Sequence, residues 1–398
     1  MAKIERDEWP LVTEESLPWV RSGDEVASRR ALMRARGDYR AAVPSMIASR
    51  RVDIVPDVLA LADDASRELA RFDSEAGAIT APFASILLRT ESASSSEVEN
   101  LTSSAKQVAL AEIGASESEN AKLVVANARA MAAASVVADD FDQSTIISMH
   151  AALLSESAPH MVGRFRDQQV WIGGGAISPH EAVFVPPHHS RVPALIDDLI
   201  EFARRTDIPV LVQAAITHAQ FETIHPFPDG NGRTGRVLLH SMLRRGGVTR
   251  NVTVPVSAGL LRDTSAYFDA LTAYRAGDPN AIVEAVSEAA FLSIANGREL
   301  VSDLSRVRSE WNDRVSARVG SATARLSDVL LRHPVLTGKL VAQELQISDV
   351  AAQIAIDRFV RAGVLLQTNN WKRNRIWHAP DVLEALDAFG ERARRSRA

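Results

Sequence analysis

The sequence predicts an all-α protein that carries one β-hairpin and ends in a small winged-helix-like module. Two observations predict the helices: aromatic residues make up only 5% of the 398 residues, and apolar residues recur along most of the chain at the helical period. A third predicts the exception, because two short runs rich in β-branched and aromatic residues flank a glycine-rich stretch before residue 190. We therefore expect mainly helices and few strands.

The helical period marks nine segments of the chain. They cover residues 56–72, 105–113, 120–138, 143–154, 192–204, 209–224, 233–245, 265–276 and 279–310. Pro209 stands at the first position of its helix, where a missing N–H is tolerated. Pro226 and Pro228 end the same helix, because proline cannot continue the backbone hydrogen bonding.

The predicted hairpin lies at residues 170–187, which we call the flap. Its strands are residues 170–172 and 183–187, and the turn between them contains three consecutive glycines, Gly173 to Gly175. Glycine-rich loops are common at protein surfaces, so the residues alone leave a covering role and a functional role equally open.

The C-terminal part has the element order of a winged helix. Gly320 and Ser321 mark a hinge after a charged helix near residues 300–319. Three helices follow at residues 322–331, 337–345 and 349–362, and then two strands at residues 364–367 and 375–378 around a polar turn. We expect the residues from 391 to the end, rich in arginine, to form a solvated tail.

Charge weighs against DNA as the favoured partner of this module. Residues 321–398 contain 12 Lys and Arg against 8 Asp and Glu, an excess of only four. In the helix that would read a groove, only Gln353, Arg358 and Arg361 have side chains suited to bases. Since phosphate contacts dominate DNA affinity, we favour protein recognition or packing, with DNA binding as the alternative.

The composition of the whole chain favours a soluble cytoplasmic protein. A net charge of −5 argues against adhesion of the whole chain to nucleic acid. Cysteine is absent, which excludes disulfides and thiolate chemistry and fits a reducing compartment. The start, Met1 to Glu8, lacks the apolar run of a signal peptide, and the apolar stretch Leu123 to Ala138 is too short to span a membrane.

The twelve residues from His225 to Arg236 contain the groups needed to handle a nucleotide phosphate. Gly230 and Gly232 let backbone N–H groups approach an anion closely. The next helix opens with its positive dipole end at the same place. The loop is therefore predicted to receive phosphate.

The charged side chains of this loop complete a mechanism for moving a nucleotidyl group. His225 has an ordinary pKa of about 6.5, which suits a general base for a hydroxyl. Asp229 offers oxygen to Mg²⁺, and Arg233 and Arg236 can stabilise charge on a leaving pyrophosphate. Each residue is ordinary by itself, and it is their joint spacing that favours function. The chain has no G-x-x-x-x-G-K-[ST] run, so a P-loop nucleotidase is not supported.

These residues resemble, at every defining position, the H-x-F-x-[DE]-G-N-G-R-x-x-R motif of the Fic family. The resemblance implies a Fic-fold helical core and a protein adenylyltransferase, which moves AMP from Mg·ATP to a Ser, Thr or Tyr hydroxyl. It implies a catalytic set of His225, Asn231, Arg233 and Arg236. The implied nucleotide-binding set is Asp229, Gly230, Asn231, Gly232, Arg233 and Arg236, with Asp229 as the Mg²⁺ ligand.

The flap also resembles its counterpart in that family, including Gly163 to Arg166 just before it. The implied role is backbone pairing with an extended segment of the target, which would set its hydroxyl beside His225. The implied partners are ATP and an unidentified target protein, with auto-modification and a homodimer as further possibilities. Asp229 and Gly232 argue against the kinase-like Doc branch, which typically has lysine at the latter position.

Residues 95–100 resemble the [ST]-x-x-x-E-[GN] inhibitory signature of the family, with Ser95 first and Glu99 as the glutamate. Because the signature precedes the core, it resembles the class whose inhibitory helix is N-terminal, here at about residues 94–100. The implied inhibitory contact pairs Glu99 with Arg236, in the place of the ATP γ-phosphate. The competing interpretation is a capping box that starts a helix, since both Ser94 with Glu97 and Ser96 with Glu99 fit one.

The expected organisation therefore has six parts. They are an N-terminal extension (1–37), a helical N-terminal domain (38–139), a Fic core (140–300), a linking helix (301–320), a winged-helix-like domain (321–390) and a basic tail (391–398). Removal of AMP by the same site is a second possible activity, and phosphocholine transfer a less favoured one. The alternatives from other classes are a winged-helix transcription regulator and a partner-binding scaffold, in which the core only binds nucleotide.

Overall fold

The structure is a computed structural model that describes residues 8–20, 28–78, 82–134, 141–174, 177–318, 320–369 and 373–395. It confirms the predicted fold class, because helices dominate and the strands are few and short. In chain order the elements are β1 (Thr13–Pro18), α1 (Arg29–Arg34), β2 (Asp38–Val43), α2 (Pro56–Ala78), α3 (Pro82–Val98), α4 (Ala105–Glu112), α5 (Glu119–Ala134), α6 (Gln143–Leu154), α7 (Val192–Ala203), α8 (Val210–Ile224), α9 (Asn231–Arg245), α10 (Val256–Leu261), α11 (Thr264–Arg275), α12 (Pro279–Arg314), α13 (Ala322–Arg332), β3 (Val335–Thr337), α14 (Gly338–Leu345), α15 (Asp349–Arg361), β4 (Leu366–Gln367), β5 (Ile376–His378) and α16 (Pro380–Arg394).

Two compact units divide the chain. The first consists of Met1–Asp64, Ala133–Gly246 and Ser265–Ser287, and the second of Ala65–Ala132, Gly247–Thr264 and Glu288–Ala398. None of the described helices has the length and apolar content to cross a membrane. Several predictions lie partly outside the described residues. The parts are 1–7 and 21–27 of the N-terminal extension, 79–81 and 135–139 of the helical N-terminal domain, the end of the helix predicted at 120–138, residue 319 of the linking helix, the flap turn at 175–176, the wing turn at 370–372 and the end of the tail at 396–398.

Helix α8 is the centre of the first unit. It packs against α7 on one side and α9 on the other, and every side chain from Leu211 to Ile224 is buried. A helix that is buried all round, polar side chains included, requires neighbours that cover it completely and bond those polar groups. This burial gives the residues that follow α8 a rigid support.

The N-terminal region contains two strands where the sequence predicted an unassigned extension and the start of a helical domain. Strand β1 pairs with β2 antiparallel, from Thr13 opposite Val43 to Pro18 opposite Asp38. The helical prediction for residues 38–43 is therefore wrong. The pairing joins segments more than twenty residues apart, and a local period does not reveal such a partner.

The flap is less regular than the predicted two-stranded hairpin. A single antiparallel bridge joins Ile172 to Phe184, and no longer strand forms among the described residues of the flap. Gly173 and Gly174 have positive φ angles of 70° and 74°, so the chain turns immediately after the bridge. The second half of the flap pairs elsewhere instead, because the carbonyl of Val185 accepts from the N–H of Ala42 in β2 at 2.9 Å.

In the second unit, the serine-rich run lies at the end of helix α3 and not at the start of a helix. The helix begins at Pro82 and ends at Val98, so residues 94–98 form its last turn. Asn100 ends it with a φ of 63°, a conformation that asparagine tolerates. The capping-box interpretation is therefore wrong, because this helix starts twelve residues earlier than Ser94.

The serines of α3 are accommodated by bonds within the helix and to α5. Ser92 and Ser96 donate to the carbonyls of Leu88 and Ser92, at 2.8 and 2.9 Å. Asn127 of α5 donates to the carbonyl of Ser92 at 3.0 Å. The end of α3 is thus held against a neighbouring helix.

The C-terminal module has the predicted order of three helices and a small sheet. The sheet order is β3-β5-β4, and all its pairs are antiparallel. Strand β3 was not predicted, because its three residues are too few to show a period. Leu326, Leu330, Ile356, Phe359 and Trp377 are buried in the module's core.

The predicted solvated tail is instead the last turn of α16 over residues 391–394. Arg392 pairs with Glu299 at 3.2 Å and Asp303 at 3.5 Å. Arg394 pairs with Glu97 at the end of α3, at 2.5 Å. The prediction failed because the acids that pair with these arginines are distant in sequence.

Candidate functional site

The sequence-predicted loop follows α8 in the first unit, and His225 is its first residue. His225 caps α8: its N–H donates to the carbonyl of Phe221 at 2.8 Å, and its φ of 51° is left-handed. This conformation turns the chain sharply out of the helix. The imidazole remains 18% exposed although the helix behind it is buried, so it is accessible to a substrate.

The turn after His225 is held by an asparagine that binds the backbone twice. The side-chain oxygen of Asn231 accepts from the N–H of Phe227, and its amide donates to the carbonyl of Phe227, both at 2.8 Å. Phe227 is fully buried. His150 of α6 stacks on its ring at 3.8 Å and forms a 3.1 Å hydrogen bond with the carbonyl of Asp229. The loop therefore has one defined shape.

The N-terminus of α9 faces this loop and has the features of an anion site. Gly230 is the N-cap residue, with a φ of 73°, and as a glycine it has no side chain that could cap the first turn. The first N–H groups of a helix that lack such a cap bind anions readily. A Cβ at Gly230 would come within 3.2 and 3.3 Å of Leu153 and Leu154, so the close approach of α6 also favours glycine.

Both arginines of the loop lie in the first two turns of α9. Arg233 and Arg236 are each 2% exposed, which holds their side chains in one place. One terminal nitrogen of Arg233 lies 3.9 Å from a carboxylate oxygen of Asp229. Gly235 permits α9 to approach α8, because a Cβ there would lie 2.8 Å from Glu222 and 3.1 Å from His218. Gly232, in the first turn of the helix, is half-buried.

Asp229 has the setting of a Mg²⁺ ligand that works with substrate phosphates. Its side chain is 62% exposed, and one oxygen accepts from the N–H of Gly230 at 2.7 Å. No group of three or more His, Asp or Glu among the described residues could hold a metal by itself. Mg²⁺ commonly binds through one or two carboxylates plus phosphates and water. A single exposed carboxylate beside an anion site fits that pattern.

Burial keeps the imidazole of His225 neutral. Desolvation lowers the pKa of His225 far below 6.5, and the positive charges of Arg166 and Arg275 lower this pKa further. Glu222 is the nearest acid, with a carboxylate oxygen 3.9 Å from Nδ1. A neutral imidazole has a nitrogen lone pair that can accept a proton from a hydroxyl, as a general base must.

Six histidines share this depression of the pKa, and it predicts how stability changes with pH. Burial lowers the pKa of His150, His189, His218, His225, His333 and His378. The unfolded chain then binds more protons than the folded chain below about pH 6.5. We expect the melting temperature to fall as pH is lowered from about 7.5 to 5.5, above the range of ordinary carboxylate titration.

Differential scanning calorimetry across this pH range tests the expectation. The His218→Gln variant should show a shallower decline, because His218 is fully buried and bonded to Tyr267 at 2.7 Å. His160 is exposed, so His160→Gln is the matched control. We expect its melting temperature to decline with pH as steeply as that of the unaltered protein. A melting temperature independent of pH over this interval would contradict the prediction.

The two residues of the predicted inhibitory signature lie in the second unit. Ser95 is fully buried in the last turn of α3, and Glu99 follows the helix directly with its side chain half-buried. The N–H of Glu99 donates to the carbonyl of Ser96 at 3.1 Å. Glu99 is therefore attached to a helix end that both α5 and α16 hold.

Sequence reasoning did not assign four further residues of the site. They are His150, Arg166, Glu222 and Arg275. Arg166 stands in the stretch compared with the flap region, but an arginine buried among carbonyls cannot be told from an exposed one by sequence. Arg275 of α11 lies 3.7 Å over the ring of Phe184 in the flap. Their proximity to His225 depends on tertiary packing alone.

Comparison with known proteins finds two family models that match parts of the chain. A family model described as the Fic/DOC family matches residues 140–243, and one described as the Fic/DOC family N-terminal region matches residues 59–135. The first match contains the whole loop from His225 to Arg236, and the second contains Ser95 and Glu99.

Two curated relatives and one solved structure are similar to the chain. It is 29% identical over 159 residues to protein adenylyltransferase fic-1 of Caenorhabditis elegans, covering 39% of this chain and 28% of the relative. It is 46% identical over 68 residues to a probable protein adenylyltransferase of Aquifex aeolicus, covering 17% of this chain and 21% of that relative. The matched regions thus span less than a third of either relative.

The solved structure is a Fic family protein from Desulfovibrio desulfuricans. It matches with a TM-score of 0.54 and 22% identity, over 82% of this chain and 97% of that one. This likeness supports the fold.

Proposed function

The chain belongs to the Fic/DOC family, and on that premise we propose that it is a protein adenylyltransferase. It transfers AMP from Mg·ATP to the hydroxyl of a Ser, Thr or Tyr side chain in a protein. The hydroxyl oxygen bonds to the α-phosphorus, the bond from that phosphorus to the bridging oxygen breaks, and pyrophosphate leaves. The observation that carries the proposal is a neutral, accessible His225 beside the N-terminus of α9, whose N-cap residue is a glycine.

Each residue of the loop has a separate role in this reaction. His225 takes the hydroxyl proton as the bond to phosphorus forms. The N–H groups of the first turn of α9, with Arg233 and Arg236, bind the phosphates and stabilise the charge that collects on pyrophosphate. Asn231 contributes by bonding Phe227, which keeps His225 and the helix N-terminus in register. Asp229 would hold Mg²⁺, which neutralises phosphate charge when bound.

We further propose that Glu99 inhibits this activity. Its carboxylate competes with the γ-phosphate of ATP for Arg236, because both are anions that pair with guanidinium donors. Glu99 directly follows a helix whose C-terminal end is held by Asn127 and Arg394. The same glutamate could position water for removal of AMP, which would be a second activity of the site.

The exposed surface of α15 favours a protein partner over DNA for the C-terminal module. Val350 and Ile354, one helical turn apart, are 71% and 53% exposed. The amide of Gln353, the one uncharged candidate for base contacts, is bonded to Asp357 at 2.7 Å. A helix with exposed aliphatic residues and an occupied amide is poorly suited to base edges. A transcription regulator would instead bind genomic DNA fragments with a steep salt dependence.

ATP labelled at either the α- or the γ-phosphate tests the central proposal. The full chain, with and without a cell lysate, is incubated with Mg²⁺ and each label, and the proteins are separated. We expect label on protein from α-labelled ATP only, because AMP is transferred and the β- and γ-phosphates leave. Retention of γ-label would indicate phosphoryl transfer instead. Absence of both labels, in the unaltered chain and in Glu99→Gly, would reject the proposal.

A further inference from the structure

Arg166 lies in the first unit between the end of α8 and the flap, and it is only 3% exposed. Its guanidinium donates to four backbone carbonyls. Nε donates to His225 at 2.8 Å, Nη1 to Gln168 at 3.0 Å, and Nη2 to Pro187 at 2.6 Å and Ile224 at 3.4 Å. Its own N–H also donates to the carbonyl of Pro226 at 2.9 Å.

These bonds connect the flap to the C-terminal end of α8, where His225 lies. Gln168 precedes the first half of the flap, and Pro187 ends the second half. Ile224 is the last residue of α8, and His225 follows it. The side chain of Gln169 also bridges the two halves, because its amide donates to the carbonyls of Val170 at 3.0 Å and Pro186 at 2.8 Å. Arg166 therefore joins both ends of the flap to the backbone of His225.

We propose that Arg166 is a positioning residue, which binds the backbone of His225 to both ends of the flap and so sets the imidazole against the target hydroxyl. The inference rests on the proposed function, since the hydroxyl is that of the AMP acceptor. A guanidinium suits this task because its donors form a rigid planar fork, whereas an ammonium is a single point of charge. Positive charge at the C-terminal end of α8 also complements the helix dipole.

The charge of Arg166 has a second consequence for His225. Burial lowers the pKa of Arg166 to about 10, so the guanidinium stays positive at neutral pH. Three charged groups face the imidazole: Arg166, Arg275 from α11, and Glu222 from α8. After desolvation, the field of Arg166 is the largest cause of the lowered pKa of His225. Removing this charge should therefore make His225 easier to protonate.

The test compares Arg166→Gln with Arg164→Gln in the full chain. Arg164 is a matched control, because it lies two residues earlier, is 71% exposed, and has Asp167 at 3.8 Å as an ion-pair partner. The first readout is the titration of the His225 ring by NMR, assigned with His225→Asn. We expect its midpoint to rise by about one pKa unit, tenfold in proton affinity, in Arg166→Gln and not in Arg164→Gln. Equal midpoints in the two variants would overturn the charge effect.

The second readout is AMP transfer. We expect kcat to fall by about 10²-fold in Arg166→Gln with KM for ATP nearly unchanged, because a displacement of about 1 Å has this effect on a catalytic group. Arg166→Lys keeps the charge and loses the fork, so its His225 midpoint should stay low while kcat falls. A loss confined to KM, or an unchanged kcat in both variants, would overturn the positioning role. The NMR titration needs no AMP transfer, so failure of the proposed function is distinguishable from failure of this inference.

Discussion

Replacement of His225 should abolish most AMP transfer while the fold persists. General-base catalysis contributes about 10² to 10⁴-fold, and we expect a loss of that size in kcat. Asparagine is the better replacement, because His225 has a φ of 51° and asparagine tolerates the left-handed conformation more readily than alanine. The measurement is the initial rate of α-label incorporation for the unaltered chain, His225→Asn and His225→Ala.

Two controls make this result specific. His160→Asn alters an exposed histidine of the same unit and should retain the full rate. ATP binding should also persist in His225→Asn, because the phosphate contacts are assigned to α9 and not to the imidazole. If His225→Asn keeps a rate within a few-fold of the unaltered chain, His225 is not the base.

Replacement of Glu99 by glycine should raise AMP transfer, and this is the second large effect. Coupling of this kind between a bound group and a ligand typically changes affinity about 5- to 150-fold, and we expect an increase in that range. The cause is loss of the carboxylate that competes with the γ-phosphate for Arg236. The measurement is the rate of auto-modification at an ATP concentration below KM, where a gain in productive binding has its full effect.

Matched variants separate this mechanism from a change in folding. Glu99→Gln keeps the size of the side chain and removes its charge, so it should resemble Glu99→Gly. Glu117→Gly alters an exposed glutamate between α4 and α5 and should leave the rate unchanged. Adding Arg236→Ala to Glu99→Gly should eliminate the gain, because both ligands depend on this arginine. An unaltered rate in Glu99→Gly removes Glu99 from the account of regulation.

The predicted helices agree with the structure to within a few residues wherever an apolar face recurs. Residues 143–154 were predicted and found as α6, and the helix predicted at residues 209–224 is α8 from Val210. Local physics is sufficient for such elements, since the same residues both form the helix and bury its face. The helix α3 was missed because buried serines interrupt its apolar pattern, and their hydroxyls bond the carbonyls four residues back.

Strands and charges were predicted less well, for a related reason. Strand β2 bonds with β1 and with Val185, and neither partner lies near it in the sequence. The arginines at the end of α16 looked solvated until their acidic partners, at positions 97, 299 and 303, came together in the fold. A long-range partner leaves no periodic pattern in the local sequence.

By itself, the sequence determined the helical fold class and the chemistry available to the loop, because the motif from His225 to Arg236 is contiguous. Only the tertiary structure decided the surroundings of these groups and the contacts that hold them. It desolvated the imidazole of His225, which holds it neutral, and it placed Arg166 among the carbonyls of Gln168, Pro187, Ile224 and His225. The physical reason is that desolvation and backbone contacts depend on neighbours in space, whereas residue type and spacing are properties of the chain alone.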